Sequence, residues 1–345
     1  MIQISRGGNG LECISVDDAI IRGAQKNTIL ISVAQSEEIV EQLKQYNFER
    51  FYCVSEWLRK CRYFNPVVTE RTDYQRAVPF NHYESPYPYL VEIHEKEKAI
   101  FDTEKEILDV DFNVKNQIEL INIMKEIELP EWPENKSDNV QYRYYYNNSW
   151  FCKGSADALY YMIRIAGPKM IIEVGSGFST AVMLDTNEHY FNNMIQLISI
   201  EPRPQRLKNL LKSTDNISIY ERNLQDIPVD FFSSLEENDI LFIDSSHVSK
   251  LNSDVNYIFF EILPRLKKGV YIHFHDIFYP FIYRKKWIYE GRAYNEIYLL
   301  RAFLMNNKAY SIQLFGEMLL AKYREKIDEK LQGCGSGSLW IKKIE

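Results

Sequence analysis

Met170-Ile171-Ile172-Glu173-Val174-Gly175-Ser176-Gly177-Phe178-Ser179-Thr180 reads as a short apolar strand running through an acid into a tight glycine turn. The turn opens a helix from Thr180 to about Tyr190. A loop of this kind sets backbone N–H groups and a helix N-terminus against a ligand, and glycine stands where a side chain would collide. In open α/β sheets, nucleotide-like cofactors bind at such turns, outside the carboxyl ends of the strands.

Outward from this stretch the pattern is regular. A helix (Ala156–Ile165) precedes the first strand, Met170–Val174. Further strands read at Met194–Ile200, Ile217–Tyr220, Asp239–Ile243 and Val270–His275. A helix over Val255–Leu266 ends at Lys267-Lys268-Gly269, cations and a glycine suited to a helix C-terminus. A helix (Asn295–Met305), a strand (Tyr310–Phe315), another helix and a strand (Ser338–Lys342) follow, an ending that suits an antiparallel final pair. The alternation predicts an α/β fold: Rossmann-like, doubly wound, with a mainly parallel seven-stranded sheet and an antiparallel final strand.

Upstream, residues 1–64 read as a small partial Rossmann-like β-α-β module. Its strands are Thr28–Val33 and Arg50–Val54, around a helix from Glu37 to Tyr46 that Ser36 can cap. It resembles the later half of nucleotide-sugar-type modules found in front of bacterial glycan enzymes, without their first strand and glycine loop. A packing or oligomerisation role fits it best. Residues 65–150 read as a linker and helical lid region. Pro66, Pro79, Pro86 and Pro88 mark the linker. Helices then run over Val91–Leu108 and Asn113–Leu129, the second with Val114, Ile118, Ile121 and Met124 near one face.

Composition narrows the class. A net charge of −7 argues against nucleic acid or an anionic membrane as partner. No apolar run approaches the roughly 20 residues that span a bilayer, and Met1–Gly10 lacks the apolar core of a signal peptide. The five cysteines are scattered without a C-x-x-C pair, which reads as reduced thiols in a cytoplasmic protein. Aromatic residues make up 14% of the chain, clustered at Tyr142–Phe151 and Phe274–Tyr289. Such side chains suit carbohydrate or aromatic substrates, or extra core and lid packing.

The cofactor follows from the turn. A dinucleotide fingerprint, G-x-G-x-x-G, would need glycine where Thr180 stands. Here an acid, Glu173, lies two residues before the first glycine, and the next strand ends in Glu201, whose carboxylate can accept both hydroxyls of a ribose. This constellation resembles the class I S-adenosylmethionine-dependent methyltransferases. The resemblance extends to Asp239-Ile240-Leu241-Phe242-Ile243-Asp244-Ser245-Ser246-His247, Ile262–Leu266, His273–Phe278 and Asn295-Glu296. It covers about Tyr146 to Ile344 and points to a bacterial branch of small-molecule and glycan O-methyltransferases. Ser179 stands where the family motif often has a third glycine.

The resemblance implies a catalytic domain over 151–345, with S-adenosylmethionine as cofactor. Glu173, Gly175, Ser176 and Gly177 would shape the methionine end of its pocket. Ser179 or Thr180 could donate to its carboxylate, or simply cap the helix. Glu201 would hold the ribose, and Asn223 to Asp226 would lie beside the adenine. Asp244 and Asp276 end neighbouring strands in the family, so they would converge at the cleft. Two adjacent acids call for a cation or a shared proton. A Mg²⁺ ion on Asp244 and Asp276 is one answer, although His275 stands where metal-dependent relatives carry a second acid. A histidine base, His247 or His275, is the other. Asp254 and Asn256 read as structural polar residues, and His273 as a core histidine. Tyr279, Trp287, Tyr294, Asn295 and Tyr298 would build the acceptor pocket.

The chain is therefore expected to methylate a hydroxyl on a sugar, glycan precursor or related small metabolite, with homodimerisation through the N-terminal module an option. A nicotinamide-dependent oxidoreductase, or a non-catalytic scaffold that binds the cofactor, are the alternatives.

Overall fold

The computed structural model describes the backbone of residues 2–6, 10–14, 29–31 and 51–53, and residues 82–136 and 141–345 in full. Contacts divide the chain into two compact units, 1–79 and 80–345. In the first, β1 (Ile2–Arg6), β2 (Gly10–Ile14), β3 (Ile29–Ile31) and β4 (Phe51–Cys53) form a sheet of order β2-β1-β3-β4. β3 and β4 run parallel, and β1 pairs antiparallel with both β2 and β3. The helix expected between Glu37 and Tyr46 lies outside the described residues. The β1–β2 pair was missed by the sequence reading, although Gly7-Gly8-Asn9 between the two runs is hairpin-type composition.

The second unit holds a seven-stranded sheet: β5 (Met170–Val174), β6 (Gln196–Ile200), β7 (Ile217–Tyr220), β8 (Ile240–Ile243), β9 (Tyr271–His275), β10 (Tyr310–Leu314) and β11 (Ser338–Lys343). Its order is β10-β11-β9-β8-β5-β6-β7. β5 to β9 are mutually parallel, while β11 runs antiparallel to both β9 and β10. This is the doubly wound sheet with an antiparallel ending that the alternation predicts. β8 and the core positions of β5, β6 and β9 are buried, as continuous apolar strands covered on both faces should be.

Two buried carboxylates hold this unit at key points. Asp239 Oδ1 accepts the N–H groups of Lys169 and Met170 at 2.9 Å each, fixing the start of β5 against the start of β8. Asp185 lies in helix α3, which follows α1 (Val114–Lys125) and α2 (Lys153–Ala166) and spans Phe178–Tyr190. Its Oδ1 accepts from the Arg143 guanidinium at 2.9 Å. Arg143 also pairs with Glu188 at 2.7 Å and with Asp215, so a fully buried cation is fully paired. The aromatic run is thereby tied down as core. Tyr144 is fully buried, edge-on to Trp132, and its hydroxyl donates to the Phe151 carbonyl at 2.9 Å.

α1 packs on β10 with Ile121 and Met124 buried, and Gln117 Oε1 accepts the Phe315 N–H at 2.7 Å. The helix expected over Val91–Leu108 is a correction: only Leu90–Glu95 and Glu97–Ile100 are helical. Neither piece buries a residue, so no apolar core contact extends them into one long helix. Beyond them Asp102 Oδ1 accepts the Glu104 N–H at 2.9 Å, a local turn that competes with helix. The segment read as Val255–Leu266 is helical over Asp254–Tyr257, widens to a π turn at Ile258–Ile262 and resumes at Leu263–Arg265. Pro264 has no N–H to give to the carbonyl four residues earlier, which loosens the regular ladder there. Helices α4 (Glu296–Leu304) and α5 (Gly316–Lys322) flank β10 in sequence.

Candidate functional site

β5 is the point where the strand order reverses, with β6 on one side and β8 on the other. A crevice at the carboxyl ends of strands belongs there in a doubly wound sheet. One is present: a cleft of about 390 Å³ lined by Gly175, Ile200, Glu201, Pro202, Asn223 to Gln225, Asp244 to Ser246, Lys250 and Asn252 to Asp254. The turn after β5 comes so close to β8 that Gly175 has no room for a side chain. A Cβ there would sit 2.3 Å from the Asp244 carbonyl oxygen, and its φ of +82° is itself a glycine conformation.

Glu173 is buried beneath this turn. Its carboxylate accepts from Ser179 Oγ at 2.6 Å and Thr180 Oγ1 at 2.5 Å. Burial pushes its pKa up to about 8 despite those two donors. Thr180 Oγ1 also accepts the Gly177 N–H at 3.0 Å. Glu173, Ser179 and Thr180 thus bond one another and hold the loop. Ser176 Oγ, in the turn, is buried without a partner. Glu201 follows β6 on the cleft wall, one carboxylate oxygen accepting the Arg203 N–H at 2.7 Å. Asn223 lines the cleft, while Asp226 is exposed and bonded to Asn223 Nδ2 at 3.1 Å.

Asp244, on the cleft wall, belongs to a cluster of titratable groups. Asp244 follows β8, Asp276 follows β9, and His247 lies between their carboxylates. Its Nε2 is 3.5 Å from Asp244 Oδ1 and 3.5 Å from Asp276 Oδ2. Its Nδ1 lies 2.8 Å from Glu296 Oε2, and Glu296 is buried at the start of α4. Ser245 Oγ donates to the second Glu296 oxygen at 2.8 Å and accepts the His247 N–H at 3.0 Å. His247 adopts φ +60° and Asp276 φ +58°, left-handed conformations that Asp and His tolerate better than most residues. The His247 carbonyl accepts the Asn295 and Glu296 N–H groups at 2.9 and 3.2 Å.

His275 Nδ1 is buried, 3.4 Å from Asp244 Oδ1 and 3.7 Å from Asp276 Oδ1. Burial opposes charge on both imidazoles, but the carboxylates outweigh it. The bond to Asp244 and the pair with Glu296 raise His247 well above its ordinary value, and the charges of Asp276 and Asp244 lift His275 to about 9. Burial likewise disfavours the Asp244 carboxylate, yet the two imidazoles hold its pKa well below the usual carboxylate range. His273 differs. Its Nε2 meets Ser338 Oγ at 3.1 Å, its ring stacks on Phe242 with centroids 4.0 Å apart, and burial keeps it neutral.

Of the residues expected at the acceptor pocket, Tyr294 and Trp287 stand beside this cluster. The Tyr294 ring is 5.0 Å from His247 and 5.8 Å from Trp287. Tyr298 is half exposed and leans on Tyr283. Tyr279 instead lines a separate cleft with Glu317, Leu320 and Cys334. Asn295 is a brace: its Oδ1 accepts the Ser249 N–H at 2.6 Å and its Nδ2 donates to the Ser249 carbonyl at 3.2 Å. Asp254 accepts the Ser246 N–H and hydroxyl at 2.7 and 2.6 Å, and Asn256 accepts from Ser249 Oγ at 2.6 Å. Glu296 was not singled out by sequence reasoning as a site residue. The signal was its place in the Asn295-Glu296 pair, one of the segments that carry the family resemblance.

Comparison with known proteins gives three findings. A family model described as a methyltransferase domain matches residues 172–277. An uncharacterised protein from Archaeoglobus fulgidus is 34% identical over 167 residues, spanning 47% of this chain and 76% of that protein. Among solved structures, SAH-bound methyltransferase PaMTH1 from Podospora anserina aligns at 15% identity over 79% of this chain and 100% of its own, with a TM-score of 0.36. The O-methyltransferase TomG from Streptomyces achromogenes, involved in tomaymycin synthesis and solved with SAM, aligns at 11% identity over 74% and 96%, with a TM-score of 0.34. Among the described residues no helix is long and apolar enough to cross a membrane.

Proposed function

Because the chain belongs to the class I S-adenosylmethionine-dependent methyltransferases, we propose that it methylates a hydroxyl of a sugar, glycan precursor or related small metabolite in the cytoplasm. One observation carries this reading. The cleft at the strand-order reversal has a ribose-competent carboxylate, Glu201, on one wall and Asp244 on another, and Asp244 stands 3.5 Å from His247 Nε2, which Asp276 flanks at the same distance.

S-adenosylmethionine supplies an activated methyl group on a sulfonium, open to in-line displacement. The chain's residues fit it. Glu201 can accept ribose hydroxyls, Ile200, Pro202 and Leu224 offer apolar walls to the adenine, and Asp244 can face the cationic end. The remaining tasks are to align the acceptor, exclude water and remove a proton. His247 Nε2 takes the hydroxyl proton. Glu296 holds the ring by Nδ1, fixing which nitrogen is free, and the charges of Asp244 and Asp276 stabilise the imidazolium that forms. Tyr294, braced edge-on by Trp287, offers an aromatic ring beside His247 for a sugar to pack against.

A specific observation favours a second reading of the same cluster. Asp244 Oδ1, Asp276, His247 Nε2 and His275 Nδ1 approach one another at 3.4 to 3.7 Å, too far for good hydrogen bonds. Such spacing suits donors around one shared ion. Asp244 and Asp276 with His247 would hold a divalent cation, and Glu296 behind His247 is the usual partner of a ligating imidazole. The nitrogen makes this donor set softer than the all-oxygen set Mg²⁺ prefers. A cation there would lower the pKa of the acceptor hydroxyl.

The test is calorimetric titration with S-adenosylmethionine and NAD, followed by S-adenosylhomocysteine formation across a panel of sugar and phenolic acceptors. Binding of the sulfonium compound alone, with turnover on a hydroxyl acceptor, is the expected result. NAD binding would instead revive an oxidoreductase. Tight cofactor binding with no turnover on any acceptor would favour a scaffold.

A further inference from the structure

The cofactor cleft is acidic, with Glu201 and Asp244 on its walls. That suits a sulfonium and an ammonium, but the amino-acid end of the cofactor also carries a carboxylate. Arg206 lies against the glycine turn. A Cβ built on Gly177 would fall 3.0 Å from Arg206 Cδ and 3.6 Å from one guanidinium nitrogen. The absence of a side chain at Gly177 therefore makes the room in which the arginine stem crosses the turn. The guanidinium carbon sits 3.6 Å above the centroid of the Trp150 ring, and Trp150 is 61% exposed. Among the described residues no carboxylate pairs with Arg206; Trp150 is the partner the structure gives it. The turn offers two further unmet donors: the hydroxyl of Ser176, buried without a partner, and the first N–H groups of α3, which lack intrahelical acceptors.

From this geometry we infer that Arg206, held flat by Trp150, binds the carboxylate of the cofactor's amino-acid end across the Gly175–Gly177 turn. The inference rests on the methyltransferase reading and adds to it a selectivity for ligands that carry this carboxylate. A planar guanidinium stacked on an indole keeps its edge nitrogens free for bidentate recognition, which a lysine in its place would not reproduce. Lys250 is the cation that lines the cleft itself, on the wall with Asn252 to Asp254.

The experiment compares binding of S-adenosylhomocysteine with that of 5′-methylthioadenosine, which shares the nucleoside and thioether but lacks the carboxylate. Arg206→Ala should weaken S-adenosylhomocysteine by about tenfold or more, the usual range for losing a hydrogen bond to a charged group, while leaving 5′-methylthioadenosine unchanged. Trp150→Ala should give a smaller loss with the same selectivity, and Arg206→Lys should recover only part of the affinity. Equal losses for both ligands, or none, would overturn the assignment, as would finding the selective loss in Lys250→Ala instead. If the unaltered protein binds neither ligand, the methyltransferase reading itself fails, a separate result.

Discussion

Glu296 Oε2 and His247 Nδ1 lie 2.8 Å apart, 49 positions distant in sequence and both buried. The pair leaves the imidazole with Nδ1 engaged and Nε2 between the carboxylates of Asp244 and Asp276. Glu296→Gln should therefore do two things at once. Removing the anion lowers the His247 pKa, so the alkaline rise of kcat/KM should begin at lower pH. The imidazolium also loses its stabilising charge, so the plateau should fall by about 10²-fold. A pH–rate profile that keeps its midpoint would remove Glu296 from the proton path.

Gly175→Ala tests the turn. The added methyl meets the Asp244 carbonyl at 2.3 Å in a backbone conformation of φ +82°. A destabilisation of about 2–4 kcal/mol is expected from strain and overpacking together, with loss of cofactor affinity. Denaturant unfolding monitored by two probes measures it, and a variant as stable as the parent would mean the turn is not closely packed on β8.

Glu173 makes stability depend on pH in an unusual direction. Its folded pKa is raised to about 8 from an ordinary 4.5, so between those values the folded protein holds a proton that the unfolded chain has lost. By linkage, this contribution to stability is fully present below 4.5 and declines as pH rises through 8. In Glu173→Gln that slope should vanish. Melting temperatures from pH 5 to 9 compare the two proteins, and parallel curves would show that the carboxyl is ionised after all.

Under the cation reading of the cluster, Mn²⁺ added to the chelator-treated protein should raise its melting temperature. The effect should strengthen with pH, because His247 and His275 must give up protons before a cation can enter. Asp276→Asn should abolish the shift. A shift that persists in that variant would locate the cation elsewhere and leave the histidine alone as proton acceptor.

The sheet was legible in sequence wherever a strand was both apolar and bounded. Met170–Val174 and Ile217–Tyr220 carry their own ends, because a glycine turn or a polar loop stops them. The region before α1 was misread because its helical pieces bury no residue, and only the tertiary structure decides that. The glycine turn between β5 and α3 was legible because its backbone chemistry is local. The braces could not. Asp185, Arg143 and Asp215 carry no local pattern that marks them, and only folding buries them into one network. Asn295 and Glu296 were noticed together, yet sequence alone did not show that the first braces a loop while the second backs a histidine.

β11 lies between β9 and β10, with Ser338 opposite His275 and Leu339 opposite Phe274. The strand that carries His275 therefore remains an open edge until residue 338 has left the ribosome. Before then, β9 presents unpaired backbone N–H and C=O groups flanked by apolar side chains, the kind of surface on which nascent chains stick to one another. The cluster built at the end of β9 is thus completed only after synthesis has passed nearly all of the unit, and premature termination in the Gly333–Gly337 stretch should yield a chain that aggregates rather than a weakened enzyme.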